Sequence, residues 1–387
     1  MEGLTVLIVN ATLASLTGTE TYVRDLALGL ARKGHSPIEY APELGEIAKQ
    51  LRRATVPVVD NLKSVGTVPD IIHGNHNTEL MTALLYFENV PAAFFCHSWS
   101  DWISSPPFHP RILAYVAVDD TCRDRLVLEH AIPKQRVSVR LHGVDLERFQ
   151  PRGPLPDKPN RALIFSNSAN RWTHLNAVRD ACKRAGIEVD VAGSGANASV
   201  VEPESLLSQY DLVFAKARCA QEALAVGTAV ILCDAAGSGP LVTTGDLDRL
   251  RRLNFGIRAL SENVDADLLV REIKRYDAKD ATEVSRRIRV SCDVGSVVDD
   301  TLSLYRNVIE DFRESASSPP VEENRAVAEY MRWMTLAVRQ KQADSEAILA
   351  NSVTLRLRNR IGRLPLVDKL LGSMARMARR NGRINHR

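Results

Sequence analysis

Short apolar runs without polar alternation recur along this chain, and segments with helical spacing separate them. Leu4–Asn10 is the first such run, and Thr21–Lys33 follows with apolar residues at helical intervals. A run of this kind is typical of a strand that is buried on both faces of a parallel sheet. Gly34, after two cations, marks the end of the helix. The repeated pattern predicts a doubly wound α/β fold.

A proline-rich segment divides the pattern into two series. The first series contains four more predicted strands, Asp70–His73, Ala92–Cys96, Leu113–Val118 and Arg136–Arg140. Residues 151–160 hold four prolines and predict a linker. The second series comprises the strands Ala162–Ser166, Glu188–Ala192, Asp211–Ala215 and Ala229–Cys233, with the helices Thr173–Ala185 and Cys219–Val226.

The length of 387 residues suits two domains of ~100–200 residues each, with appendages. We expect a first domain over residues 1–150, the linker, and a second domain over 161–315 that the amphipathic helix Val294–Phe312 closes. A helical extension over 322–387 follows. Ligands of open parallel sheets bind beyond the carboxyl ends of the strands, so the cleft between the two sheets is the expected site.

The net charge of +3 hides an uneven distribution. Residues 353–387 hold ten Lys and Arg and one Asp, a local charge of +9, so the rest of the chain sums to −6. Apolar residues are interleaved with these arginines, which favours an amphipathic segment on an anionic membrane surface. Nucleic-acid binding is the weaker alternative, because this segment lacks aromatic residues for base stacking. An oligomer contact or a solvated chain end is the remaining alternative.

Composition excludes several classes of protein. Apolar residues make up 45% of the chain, which excludes disorder throughout. No apolar run approaches the ~20 residues that span a bilayer, and residues 1–3 do not begin a signal peptide, so we expect a cytoplasmic protein. The six cysteines are scattered and predict free thiols, not disulfides or a zinc site.

The loop Ala11–Glu20 joins the first strand to the first helix and is rich in small residues. Gly18 lies where backbone N–H groups and the positive end of the helix face the cleft, which suits a phosphate or a sugar hydroxyl. One glycine does not meet a dinucleotide-binding fingerprint. The alternative is that Thr19 or Thr21 simply caps the helix.

Three histidines follow predicted strand ends and are expected at the cleft. His73, His76 and His97 are suited to donating a hydrogen bond to a sugar hydroxyl or to stabilising developing charge. A purely structural hydrogen bond is the alternative for each of them. The pair His73 and His76 lacks a carboxylate at ligand spacing, so we expect no metal.

The segment Asp211–Thr244 carries the densest set of candidate groups. Lys216 and Arg218 follow a strand beside a helix N-terminus, which suits a diphosphate leaving group. Glu222 is placed to accept both hydroxyls of a ribose, or alternatively only to favour the helix N-terminus. Gly239 lies in the glycine-rich stretch after the next strand and is a further candidate for the donor phosphates.

Taken in order, these segments resemble the GT-B-fold glycosyltransferases of family 4 over residues 4–310. The resemblance rests on the stretches Gly18–Ala27, Lys33–His35, Pro69–His76, His142–Phe149 and Glu222–Gly227, together with His97. It implies two Rossmann-like domains that face a cleft, the first binding the acceptor and the second the nucleotide. The implied reaction transfers a sugar from a nucleotide sugar to an acceptor hydroxyl, with retention and without a metal or other cofactor.

The resemblance also implies roles for single residues. Gly18 would approach the donor phosphates with Thr19 beside it, His97 would contact the transferred sugar, and Glu222 would hold the donor ribose. Glu20, His73 and His76 are candidates on the acceptor side.

Several positions depart from the family pattern. Phe214 replaces a glutamate that usually precedes Glu222 by eight residues, and His142 replaces an asparagine. The cations that usually follow the linker are also missing, and Arg171 is their candidate replacement beside Lys216 and Arg218.

The leading hypothesis is a peripheral, cytoplasmic-face glycosyltransferase of surface polysaccharide or glycoconjugate biosynthesis. Its partners would be a nucleotide sugar, a glycan, lipid-linked or small-molecule acceptor, and an anionic membrane bound through residues 353–387. The alternatives are an inactive nucleotide- or glycan-binding protein, motivated by Phe214, and a nucleotide-sugar epimerase of the same architecture.

Overall fold

The computed structural model describes residues 3–198, 200, 202–315 and 319–351. The chain forms two compact units, one running to Glu323 and the other starting at Asn324. Both sheets belong to the first unit. The basic segment 353–387 and its predicted amphipathic character lie outside the described residues.

The first sheet is entirely parallel. Its strands are β1 (Thr5–Val9), β3 (Ser36–Tyr40), β5 (Val58–Val59), β6 (Ile71–Gly74), β7 (Ala92–Cys96), β8 (Ile112–Ala117) and β9 (Val137–Val139). They lie in the order β5-β3-β1-β6-β7-β8-β9. The strands β3 and β5 therefore lie on one side of β1, and the strands from β6 onward lie on the other side. Two short strands, β2 (Thr12–Leu13) and β4 (Glu43–Leu44), pair separately beside it. A sheet of this order opens a crevice at the carboxyl ends of its central strands.

The second sheet follows the proline-rich segment, which contains neither helix nor strand, as predicted. Its strands are β10 (Arg161–Phe165), β11 (Glu188–Ala192), β12 (Leu212–Ala215), β13 (Ala229–Asp234) and β14 (Gly237–Leu241). They lie in the order β11-β10-β12-β13-β14, and only the pairing of β14 with β13 is antiparallel. The predicted glycine-rich loop after β13 is therefore the edge strand of a hairpin.

α-Helices separate most of the strands along the chain, and others follow the last strand. They are α1 (Gly18–Arg32), α2 (Glu46–Arg53), α3 (Asn77–Tyr86), α4 (Asp120–Asp124), α5 (Leu175–Ala185), α6 (Pro203–Leu207), α7 (Ala217–Val226), α8 (Leu247–Arg252), α9 (Ala266–Ile273), α10 (Ala278–Ser291), α11 (Val294–Glu314) and α12 (Pro320–Asn351). Short 3₁₀ or π turns occur at Leu62–Ser64, Trp102–Ser104, Arg125–Glu129, Lys134–Arg136, Ser194–Ala196 and Ile257–Ala259.

Helix α11 differs from the sequence-based expectation in the core it completes. We expected it to close the second domain, but Val298, Leu302, Tyr305 and Val308 pack in the core of the first sheet, together with residues of α1. The hydrophobic face of an amphipathic helix specifies burial without specifying the partner, which explains the difference. The chain therefore returns to its first half after the second sheet is complete.

Within the described residues, no helix is both long enough and apolar enough to cross a membrane. All six cysteines are free, and five of them are buried, in agreement with the expected unpaired thiols. Cys219 is half-buried, and burial raises the pKa of its thiol.

Candidate functional site

A cavity of about 430 Å³ lies where loops and helix ends from the two sheets meet. This volume is in the range of small-molecule sites, ~300–1,000 Å³. The first half contributes Ser15, Leu16, Thr17, Gly18, Thr21, Arg24 and Glu46. The later part of the chain contributes Arg148, Phe149, Phe165, Ser166, Asn167, Gly193, Ser194, Val200, Pro203, Arg218, Cys219 and Glu222.

The first wall of the cavity is the N-terminal part of α1. Gly18, Thr21 and Arg24 recur every three residues, so they share one helix face and all line the cavity. A Cβ added to Gly18 would meet no atom within 4 Å, so this position leaves room that a ligand can use. The Thr17 side chain at the N-cap of this helix makes no capping hydrogen bond, and the first N–H groups of the helix lack helical partners.

The positions of Thr19 and Thr21 test the alternative that one of them caps α1. The Thr21 hydroxyl donates to the carbonyl oxygens of Thr17 and Gly18, at 2.7 and 3.1 Å, and its residue lines the cavity. Thr19 is half-buried and is not among the lining residues. Neither threonine caps α1.

Arg218 and Glu222 form the opposite wall. They lie four residues apart on α7, and the Arg218 Nε donates to Glu222 Oε1 at 2.8 Å. Burial raises the pKa of Glu222, while the Arg218 guanidinium opposes this shift. Both residues line the cavity, as the sequence predicted for a donor site.

A buried carboxylate connects this wall to α1. Asp25 Oδ1 accepts from Nε and Nη2 of Arg24, at 2.9 and 2.7 Å, while Asp25 Oδ2 accepts from Arg218. Burial alone would raise the pKa of Asp25, but the guanidiniums of Arg218 and Arg24 outweigh it and hold this pKa below its ordinary value. The chain of charges Arg24, Asp25, Arg218 and Glu222 therefore joins the two halves at the cavity.

Lys216 is placed beside the cavity but is occupied. Its Nζ lies 2.9 Å from Asp234 Oδ1, and the hydroxyls of Ser166 and Ser168 both donate to Asp234 Oδ2 at 2.8 Å. Burial would raise the pKa of Asp234, but Lys216 and the two hydroxyls lower it overall. Lys216 itself is not among the lining residues, and Phe214 is fully buried in the core of the second sheet.

Gly193 shapes the wall formed by the second sheet. Its φ of 139° lies in a region that L residues rarely adopt, and an added Cβ would lie 2.1 Å from the Ser166 carbonyl oxygen. This glycine lets the loop after β11 approach the loop after β10, and Asn167 Oδ1 accepts from the Ser194 N–H across the same junction at 3.1 Å.

Two further predicted donor residues, like Thr19 and Lys216, do not line the cavity. Arg171 is exposed, and its guanidinium lies 4.5 Å from the centre of the exposed Trp172 ring. Gly239 lies in β14, where an added Cβ would lie 2.3 Å from the Ala259 carbonyl oxygen. The glycine at 239 is therefore explained by the close packing of β14 against the turn Ile257–Ala259.

Histidines and an asparagine form a hydrogen-bonded network at the carboxyl ends of β6 and β7. His73 lies between Tyr305 and Asn75, with Nδ1 2.6 Å from the Tyr305 hydroxyl and Nε2 3.1 Å from Asn75 Oδ1. The same Asn75 oxygen lies 2.8 Å from His97 Nε2, and His97 Nδ1 lies 3.2 Å from His142 Nε2. Sequence reasoning brought His73 and His97 to this edge but missed Asn75 and Tyr305.

The network assigns the ring protons. Asn75 Nδ2 donates to the Val9 carbonyl oxygen, so Oδ1 is the acceptor for both His73 and His97. Both rings then carry their proton on Nε2, His73 Nδ1 accepts from Tyr305, and His97 Nδ1 accepts from His142 Nε2. All three rings are neutral in this assignment, which leaves Nδ1 of His142 as a lone-pair acceptor.

Burial favours the same neutral state. It lowers the pKa of His73 and of His142 to about 3, with Arg218 and Arg251 contributing at His142. Burial and the neighbouring histidines hold the pKa of His97 well below its ordinary value. His97 is not among the cavity-lining residues, but Tyr22 connects it to them, since Tyr22 follows Thr21 and its ring centre lies 4.7 Å from that of His97.

The other acceptor-side candidates are buried outside the cavity lining. His76 Nδ1 accepts from the Ala11 N–H at 2.9 Å, and burial lowers its pKa to about 4. Burial raises the pKa of Glu20, whose nearest side-chain partner is the Ser15 hydroxyl at 3.5 Å. Across the described ranges, no group of three or more His, Cys, Asp or Glu residues is arranged to hold a metal ion.

No known protein-family model matches the chain, and no curated protein sequence matches it. Solved structures do. A glycosyltransferase from Rickettsia africae ESF-5 is 15% identical with a TM-score of 0.60, over 80% of this chain and 99% of that one. HepE from Anabaena in complex with UDP is 13% identical with a TM-score of 0.59, over 79% and 100% of the two chains.

A third similar structure belongs to a protein with a different name and reaction. The putative UDP-N-acetylglucosamine 2-epimerase from Listeria monocytogenes is 14% identical with a TM-score of 0.50, over 82% of this chain and 99% of that one. At such identities the likeness concerns the fold alone. The predicted fold class is confirmed: the chain has the GT-B fold, with two Rossmann-like parts around a cleft and a helical C-terminal part.

Proposed function

We propose that this protein is a glycosyltransferase that moves a sugar from a nucleotide-sugar donor to an acceptor hydroxyl. The observation that carries the proposal is the cavity between the two halves, where Gly18 at the start of α1 faces Arg218 and Glu222 on α7. Structures of HepE, which shares the fold, are complexes with UDP and with UDP-glucose. A nucleotide sugar combines an anionic diphosphate with vicinal hydroxyls, and this cavity offers groups for both.

On the donor side, Glu222 is proposed to accept the ribose hydroxyls and Arg218 to bind the diphosphate. The uncapped start of α1 at Gly18 adds backbone N–H groups and the positive end of the helix dipole. Lys216, which pairs with Asp234, is a further candidate cation for a phosphate. Positive groups stabilise charge that grows on a diphosphate leaving group, so no metal ion or other cofactor is required in this proposal.

His97 is proposed to contact the transferred sugar, with the acceptor bound against the first half. Asn75 and His142 hold its two ring nitrogens, so the proposed contact is made by the ring itself, and Tyr22 connects this ring to the cavity wall. The retaining stereochemistry, membership of family 4, and a role in surface glycan or glycoconjugate biosynthesis belong to this proposal through the sequence resemblance. The proposed domains remain residues 1–150 for the acceptor and 161–315 for the nucleotide, apart from α11.

Two other functions have specific support. A nucleotide- or glycan-binding protein without activity is favoured by Phe214 and by the ion pairs that occupy Lys216 and Arg218. A nucleotide-sugar epimerase is favoured by the Listeria structure of the same fold. Both would bind a donor in the same cavity, so turnover separates them from a transferase.

A donor panel tests the proposal. Incubation with UDP-, GDP-, ADP- and dTDP-sugars, with and without sugar or lipid acceptors, should release nucleotide and yield a glycosylated acceptor with one donor class. A changed sugar without acceptor would identify an epimerase instead. Stabilisation by a donor, about 2.7 kcal/mol at ~100 times its dissociation constant, without any turnover would identify a binding protein.

We further propose that the protein acts at the inner face of the cell membrane, recruited by residues 353–387. These residues lie outside the described part of the chain, so the support is their local charge of +9. At ~1 kcal/mol per basic residue near an anionic surface, half of them would suffice for recruitment. Deletion of this segment should abolish flotation with anionic vesicles, and unchanged flotation would refute the proposal.

A further inference from the structure

Two arginines from opposite halves of the molecule line the cavity and share one carboxylate. Arg24 belongs to α1 and Arg218 to α7, and Asp25 accepts hydrogen bonds from both. Asp25 is only 6% exposed and is not among the cavity-lining residues. It therefore holds the two guanidiniums from the protein side while they border the cavity.

Two guanidiniums brought together repel each other, and a shared anion offsets that repulsion. The Asp25 bonds use Nε and Nη2 of Arg24 and one Nη2 proton of Arg218. Gln50 takes one Nη1 proton of Arg24, and Glu222 takes Nε of Arg218. An arginine has five N–H donors, so among the described residues these bonds leave two on Arg24 and three on Arg218. Both side chains can bind phosphate oxygens without breaking their pairs.

We propose that Arg24 and Arg218 together form a diphosphate subsite and that Asp25 is the positioning residue that holds them in register. The inference rests on the proposed function, because the diphosphate is that of the nucleotide-sugar donor. It adds a phosphate-binding residue from the first half and assigns a task to a buried carboxylate. The subsite is complete only when the two halves are in contact, since Asp25 joins α1 to α7.

Pyrophosphate is the probe of choice, because it presents the shared chemistry of every donor without its base or sugar. By calorimetry, we expect Arg24→Gln to bind pyrophosphate about tenfold more weakly, which is about 1.4 kcal/mol. Asp25→Ala should weaken binding to a similar extent, although Arg218 is retained. Asp25→Asn keeps one acceptor oxygen and should recover part of the affinity.

A double-mutant cycle distinguishes positioning from general structural support. If Asp25 acts through Arg24, the variant carrying both Arg24→Gln and Asp25→Ala should lose less than the product of the two single losses. Asp120→Ala is the matched control. Asp120 pairs with Arg252 at 2.6 and 3.0 Å and likewise joins the two halves, but it does not line the cavity. Its affinity for pyrophosphate should equal that of the wild type.

The opposite results would overturn the inference. Equal or tighter binding of pyrophosphate by folded Asp25→Asn and Asp25→Ala would show that Asp25 is idle or competes with the phosphate. Wild-type turnover of a nucleotide sugar together with that result would leave the proposed function standing. A wild type that binds neither pyrophosphate nor any nucleotide would remove both. Circular dichroism and thermal melting establish that each variant is folded.

Discussion

The carboxyl edges of the two sheets carry different kinds of polar groups. At the first edge, His73, Asn75, His97 and His142 form a neutral network whose proton positions follow from one asparagine. At the second edge, the polar groups are ion pairs, in which Lys216 holds Asp234 and Arg218 holds Glu222.

This difference separates two tasks. A neutral network of buried rings is preorganised, since its donors and acceptors are already fixed and need no counter-ion. Ion pairs at a cavity wall supply charge for an anionic ligand, but the ligand must share or replace their partners. In the proposed function, the first edge serves the transferred sugar and the second edge serves the diphosphate. Each variant below changes a residue of one edge, and a change at the other edge should not give the same result.

The largest effect is expected at the charged edge. Glu222→Ala should lower kcat/KM for the donor about 100-fold, because two hydrogen bonds to the ribose, at ~1.5 kcal/mol each, are removed. Glu204→Ala is a matched control, since Glu204 pairs with the cavity-lining Arg148 at 2.8 Å without itself lining the cavity. Glu204→Ala should lower kcat/KM far less than Glu222→Ala does. Wild-type kcat/KM in Glu222→Ala would refute the donor-site assignment.

The neutral edge should dominate the loss of stability in acid. The folded-state pKa of His142, about 3, lies below the ordinary value of 6.5, so between these values the unfolded chain binds a proton that the folded chain does not. Stability therefore falls as pH drops below 6.5, by about 1.4 kcal/mol per unit for this group.

His142→Asn removes this proton linkage and restores the residue that the family resemblance places there. Between pH 7 and pH 5, its free energy of unfolding in urea should fall by about 2 kcal/mol less than that of the wild type. Identical losses in both proteins would show that His142 is not held neutral by the fold. Lys216→Gln, at the charged edge, should leave the acid sensitivity of the wild type in place.

His97→Ala should lower transfer activity about tenfold or more, about 1.4 kcal/mol, since the proposed contact with the sugar is lost together with the ring that joins Asn75 to His142. The expected loss is in kcat more than in donor affinity, because the nucleotide contacts belong to the charged edge. Steady-state kinetics and donor titration separate the two quantities. A variant with full kcat would place His97 in a structural role only.

Asn75→Asp introduces a charge at a fully buried position of the neutral edge, and its expected effect is on the pH dependence of the rate. A carboxylate that faces His73 and His97 at about 3 Å stabilises their protonated forms. The pKa of His97 should rise, and the acid limb of the pH–rate profile, which reports loss of its neutral form, should move up by about one unit. An unmoved acid limb would exclude His97 as the titrating group.

Much of the fold was predictable because most of its strands are short runs rich in apolar residues. Ala92–Cys96 and Glu188–Ala192 were predicted with the bounds observed. The strand Ser36–Tyr40 was missed because it contains a proline and the buried Glu39, which contradict the composition of a central strand. The partner of α11 was also wrong, since periodicity encodes a face and not its neighbour.

A residue of the site was predictable only where its chemical type and its place in the chain both pointed to the cleft. Gly18 and Arg218 lie at the starts of α1 and α7, Glu222 lies one turn after Arg218, and all three line the cavity. Asp25 was missed because a charge in a helix is ordinarily solvated, and its partner Arg218 is 193 residues away in sequence. Gly239 and Arg171 do not line the cavity, because a glycine-rich stretch or an arginine after a strand does not specify which way the chain turns next.

The central claim, that the cavity between the two edges binds a nucleotide-sugar donor, is tested most directly by a crystal structure with the nucleotide that stabilises the protein most in a thermal-shift panel. We expect the diphosphate within hydrogen-bond distance of the Gly18 backbone and of Arg218, with the ribose hydroxyls on Glu222. A nucleotide bound elsewhere, with the cavity between α1 and α7 empty, would contradict the account.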